Sequence, residues 1–176
     1  FRFEFSSLIF WTNKLFSIAL IAGSLLATNA VAFDYKKAIN LAGKQRMLTQ
    51  KMSKEALLVA LDIDKDTNLG NLQKTRNLFD KTLNGLKDGD SDLGLDATKK
   101  PKIKKQLDKV MGSWGPFDKV VSEVAGAGSA SKDNISAIAA QNLPLLKEMN
   151  KAVKFYEADA AGSGTNPALA KAINLA

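Results

Sequence analysis

Cysteine and histidine are both missing from this chain. Their absence removes thiol chemistry, disulfides, Cys/His zinc sites and any histidine acid–base relay. A chain without cysteine is compatible with an oxidising compartment but does not identify one. Also missing is any Glu-x-x-His pair or nucleophile–base pair, so the sequence reads as non-catalytic. The 25 Lys and Arg outnumber the 18 Asp and Glu, giving a net charge of +7. These cations are scattered over several segments with no aromatic-studded basic groove, which argues against nucleic acid. A moderately basic surface still favours small anionic partners. Strand-like alternation of polar and apolar residues is absent too, which leaves helices as the only regular structure.

What is present fits one domain, since 176 residues suffice for a single sizeable core. The first residues, Phe1–Asn13, are aromatic-rich and carry no initiator methionine, as expected of a sequence incomplete at its N-terminus. Lys14, the apolar run Leu15–Ala27 and the small residues ending Ala30-Val31-Ala32 follow the order of a secretory signal. Residues 1–32 are therefore expected to be a signal peptide cleaved before Phe33. The alternative is an uncleaved membrane anchor, for which Leu15–Ala32 is short and diluted by Gly23, Ser24, Thr28 and Asn29. Removing the segment leaves the charge basic, because it holds only Arg2, Lys14 and Glu4.

Four amphipathic stretches follow. The first runs from about Asp34, a plausible N-cap, to Asp62. A second covers about Thr67–Lys87, with Leu69, Leu72, Phe79, Leu83 and Leu86 on one stripe and Arg76 interrupting it. Asp88–Pro101 is dense in Gly, Asp and Ser and reads as a loop. Its acidic cluster lacks the spacing and terminal Glu of an EF-hand. The third stretch, Lys102–Val124, places Ile103, Leu107, Val110, Trp114, Phe117, Val121 and Val124 on a 4-3 seam, with a kink expected near Trp114. Five lysines in Lys99–Lys105 read as an exposed helix start. The fourth, Lys132–Ala161, carries Ile135, Ile138, Asn142, Leu146, Met149, Val153, Tyr156 and Ala160, with Pro144 expected to bend or split it. Together they predict an all-α, antiparallel four-helix bundle over 33–162.

The chain is organised around Ile39–Lys54, INLAGKQRMLTQKMSK. At 100° per residue, Ile39, Gly43, Arg46, Gln50, Ser53, Leu57 and Ala60 share one face. Leu41, Gln45, Leu48, Met52, Val59 and Ile63 form a core stripe nearly opposite. A seam that sets Arg and Gln among small residues is unusual, since such seams favour Leu or Ile. The expectation is a helix with its own bundle on one side and a partner on the other. Met47 and Met52 read as core packing rather than metal ligands, without His or Cys beside them. No cofactor or metal is expected.

AINLAGKQRMLTQKMSK closely resembles the signature of the PilJ-type domain, the N-terminal sensory domain of type IV pili methyl-accepting chemotaxis transducers. More distantly it is similar to the helix of nitrate/nitrite sensor kinases. Ala42-Gly43-Lys44-Gln45-Arg46-Met47 carries most of the match; Trp114 and Leu145–Val153 extend it over Phe33–Gly162. The resemblance implies a periplasmic sensory domain of a Gram-negative-like bacterium, linked to chemotaxis or type IV pili signalling. It also implies that Arg46 contributes to recognising a planar anion such as nitrate or nitrite at a two-fold interface. A forked guanidinium suits such oxyanions. Gly43, one turn before Arg46, would allow close backbone approach, and Gln50, one turn after, would add a neutral donor. The alternative is that Arg46 pairs with a carboxylate of another helix, in a structural interaction module that has lost its ligand. The sequence departs from the kinases in holding no second hydrophobic span, HAMP-like segment or methyl-accepting region, so transmembrane signalling by these residues alone is unsupported.

Lys171–Ala176, KAINLA, repeats Lys37–Ala42. The expectation is a linker from 163 onward and the start of a truncated second unit. A homodimer, or an intramolecular pseudo-dimer between the two units, would then bring two copies of Arg46 together. Contact with a membrane is expected only if the leader stays attached.

Overall fold

Asp34 opens the first helix as an N-cap, its carboxylate accepting the backbone N–H of Lys37 at 2.9 Å. The computed structural model describes residues 32–164, which form four helices: α1 Tyr35–Ala60, α2 Lys65–Asp88, α3 Pro101–Ala127 and α4 Lys132–Gly162. The leader through Val31, and the repeat Lys171–Ala176 with most of its linker, lie outside the described residues. Among the described residues no helix is long and apolar enough to cross a membrane.

Local chemistry sets the helix boundaries. Asp62 and Asp64 take positive φ in the short α1–α2 turn, a conformation that Asp tolerates better than most side chains. Pro101 starts α3 at a position where its missing N–H is not needed. Ser131 and Asn134 form a reciprocal capping box at the start of α4. The connection between α2 and α3 closes on an Asp90–Leu95 bridge.

α1 packs between α2 and α4, and α3 completes the bundle against the same two helices. Every residue of the α3 seam, from Ile103 to Val124, is buried. Phe79 of α2 stacks on Trp114 with ring centroids 4.2 Å apart, and the indole N–H donates to Asp80 at 2.9 Å. Arg76, which interrupts the α2 stripe, makes a two-pronged ion pair with Asp118 of α3.

Some expectations need correction. Pro144 does not split the fourth helix, and both Pro116 and Pro144 lie inside continuous helices. Both are exposed, and so are Gly112 and Ala140 one turn earlier, so the carbonyls they leave unpaired can meet water. Leu145, not Leu146, fills the fully buried position of α4, because the step from Asn142 to Met149 passes through i+3. Met47 is not a core residue: it is 57% exposed, on the outward arc of α1 with Lys44 and Lys54. Gln45 and Met52 do lie in the interior. The Gln45 amide nitrogen donates to the Phe79 carbonyl at 2.8 Å, while its Oε1 is left without a partner among the described residues.

At the end where α1 begins and α4 finishes, the Tyr35 hydroxyl donates to Asp159. Thr98 of the α2–α3 connection shares a hydrogen bond with Tyr156 and donates to the Leu86 carbonyl at 2.6 Å.

Candidate functional site

The polar face of α1 runs along the edge shared with α4. Ile39 and Gly43 are buried, Arg46 and Ser53 half-buried, and Gln50 and Leu57 exposed. The expectation that this face turns to a partner outside the bundle is thus corrected in part, because α4 covers much of it.

Each polar side chain of the face finds a neutral partner. Arg46 Nη1 donates to Asn150 Oδ1 at 2.9 Å, and Arg46 Nε to the Gly43 carbonyl at 3.4 Å. Gln50 Nε2 donates to Asn142 Oδ1 at 2.6 Å. Asn142 in turn donates to the Ser53 hydroxyl and, more weakly at 3.4 Å, to the Thr49 carbonyl. The pairing of Arg46 with a carboxylate from another helix is not seen, since Arg46 belongs to none of the ion pairs among the described residues.

Gly43, Arg46 and Gln50 therefore share one inter-helix edge: Gly43 orients the guanidinium through its carbonyl, and Gln50 sits one turn further on. Beyond Gln50 an open groove of about 260 Å³ lies between Ser53 and Leu57 of α1 and Ile135, Ile138, Asn142 and Leu143 of α4. Its rim is apolar, with Leu57 45% and Leu143 67% exposed.

In the sequence Asn142 is only a polar member of the α4 stripe, and Asn150 lies outside that stripe. The signal was two asparagines eight residues apart along one strip of α4, matching the Arg–Gln pair of α1. Spacing within a single helix does not show that pairing.

Chemically, the edge offers a cation whose donors are only partly used. A guanidinium has five N–H groups, and the described contacts engage Nε and one hydrogen of Nη1. Charge and free donors together suit a small oxyanion better than a metal or a neutral apolar ligand.

Comparison with known proteins follows the same line. The family model PilJ, described as the type IV pili methyl-accepting chemotaxis transducer N-term, matches residues 28–140. The methyl-accepting chemotaxis protein McpN of Pseudomonas aeruginosa is 30% identical over 151 residues, or 83% of this chain. The chain spans 27% of that relative's length. The solved ligand-binding domain of the P. aeruginosa nitrate receptor McpN aligns with a TM-score of 0.59 at 30% identity, covering 70% of this chain and 96% of that one. The matched proteins are a chemotaxis protein and a receptor's ligand-binding domain, not enzymes.

Proposed function

The chain belongs to the PilJ family of chemotaxis-transducer N-terminal domains, and from that premise we propose that it senses a small planar anion such as nitrate or nitrite. Arg46 binds the anion, Gly43 shapes the approach to it, and Gln50 adds a neutral donor. The chain acts after export, on the periplasmic side of a Gram-negative-like cell, with residues 1–32 as its leader. A second copy of the edge, from another chain or from a unit beginning near Lys171, supplies the facing arginine.

One observation carries this reading. Arg46 is half-buried and held by an amide and a backbone carbonyl, with no ion pair to a carboxylate among the described residues. Two such edges face to face repel unless an anion lies between them, so ligand favours the paired state. The solved relative, a nitrate receptor's ligand-binding domain, supports nitrate as the first anion to try.

Thermal melting and isothermal titration of the purified chain test the reading, with nitrate and nitrite set against chloride and sulfate at matched ionic strength. Nitrate or nitrite should raise the melting temperature by mass action on the folded state. Arg46→Ala should stay folded and lose that rise. A wild type that responds no more to nitrate and nitrite than to chloride would leave the structural module as the better account.

A further inference from the structure

We infer that Asn150 is a positioning residue that sets the anion affinity of this edge by holding Arg46 without neutralising it, an inference that rests on the anion reading of Arg46. The two arginines among the described residues make the contrast. Both reach across to a neighbouring helix and both are partly buried. Arg76 meets a carboxylate at 2.6 and 2.9 Å, with both partners 25% exposed. Its charge is satisfied within the bundle. Arg46 meets Asn150 Oδ1 at 2.9 Å, an acceptor of nearly the same shape but no charge.

The surroundings keep that charge uncompensated. One turn before and one turn after Asn150 on the same strip of α4 stand Lys147 and Lys154, both exposed. Glu148, the neighbouring acid, is engaged by Lys151 at 2.6 Å and by Gln106 of α3 at 2.8 Å. Those bonds, together with the charge of Lys151, hold the Glu148 carboxyl below its ordinary range. Lysines therefore flank Asn150 on its strip, and Arg46 is fixed in direction by two neutral acceptors. Fixing a receptor group in advance lowers the ordering cost of binding. A carboxylate at position 150 would occupy the same donor and cancel the charge.

Nitrate titrations and melting curves on the full chain decide this, with Asn150→Asp, Asn150→Gln and Asn150→Ala beside the wild type. Asn150→Asp is nearly isosteric and should melt higher than wild type without nitrate. Its nitrate affinity should fall tenfold or more. Asn150→Gln retains a neutral acceptor and should bind nitrate within a few-fold of wild type. Asn150→Ala should stay folded and bind a few-fold more weakly, because Arg46 loses its orientation. The opposite movement of melting temperature and affinity in Asn150→Asp is not expected of a residue that only packs. If the wild type binds nitrate and Asn150→Asp binds it equally well, the role of Asn150 is overturned while the anion reading survives. It is overturned in the same way if all three substitutions lower melting temperature and affinity together. A wild type that does not distinguish nitrate from chloride overturns both.

Discussion

Arg76 grips Asp118 with two prongs, Nε to Oδ1 at 2.6 Å and Nη2 to Oδ2 at 2.9 Å, and so ties α2 to α3 through a charge pair at the rim of the core. The side-chain hydrogen bond to Asp118 is the largest influence raising the Arg76 pKa. Because the pair is a quarter exposed, water screens part of its energy. Asp118→Ala should cost about 1 kcal/mol, read as a shift of the urea midpoint with an unchanged slope. High salt should shrink the difference from wild type.

Gly89 closes α2 with φ +90° and ψ 153°, where side chains other than glycine are strained. A Cβ there would also meet the Ala97 backbone nitrogen at 3.0 Å. Gly89→Ala should lower stability by about 1–3 kcal/mol. Gly70, inside α2 with open space around its Cβ position, should behave oppositely. Gly70→Ala should raise stability by about 0.5–1 kcal/mol. Chemical denaturation of the two variants checks both signs.

The chain has two tyrosines, and burial first of all pushes both up to about 12. Asp159 adds to the effect at Tyr35, through its hydrogen bond and its charge. A spectrophotometric titration should accordingly show little phenolate near pH 10 in the native protein, and a midpoint at about pH 10 in urea. The folded state holds these protons after the unfolded state has released them. Stability from the two groups is therefore complete below pH 10 and is lost as pH rises toward about 12. A melting temperature unchanged between pH 9 and 11 would contradict this.

The mature chain should begin at Phe33. N-terminal sequencing of periplasmic protein checks it; recovery of Leu15–Ala32 in a membrane-bound product would instead identify an anchor.

Much of the fold was legible because its core is written locally. The α3 seam follows a single 4-3 rhythm, and each of its seven residues is buried. Asp34 was legible as a cap because an N-cap bonds within its own first turn. The sequence misled where the outcome depended on a distant segment. The partner of buried Gln45, the Phe79 carbonyl 34 residues away in sequence, is not readable from its own helix. Met47 looked apolar enough for the core, but two helices packed against α1 leave its arc of the wheel to solvent. Of the candidate site, Arg46, Gly43 and Gln50 were readable from one helix. Their partners Asn142 and Asn150, about ninety to a hundred residues on, became visible only once α4 was laid beside α1.

Tyr35 and Asp159 make the junction of α1 and α4 a pinned joint. From that joint Arg46 is about 17 Å along the α1 rod, and Ala60 about 38 Å. If α1 and α4 pivot apart about the joint, a gap opened at Arg46 more than doubles at the far turn and vanishes at the pin. Sliding one rod along the other would break the phenol–carboxylate bond, whereas a twist about the rod axis can leave it intact. Sliding is thus opposed at the Tyr35–Asp159 end, while splay farther along is opposed by the bonds of Asn142 to Gln50 and Ser53.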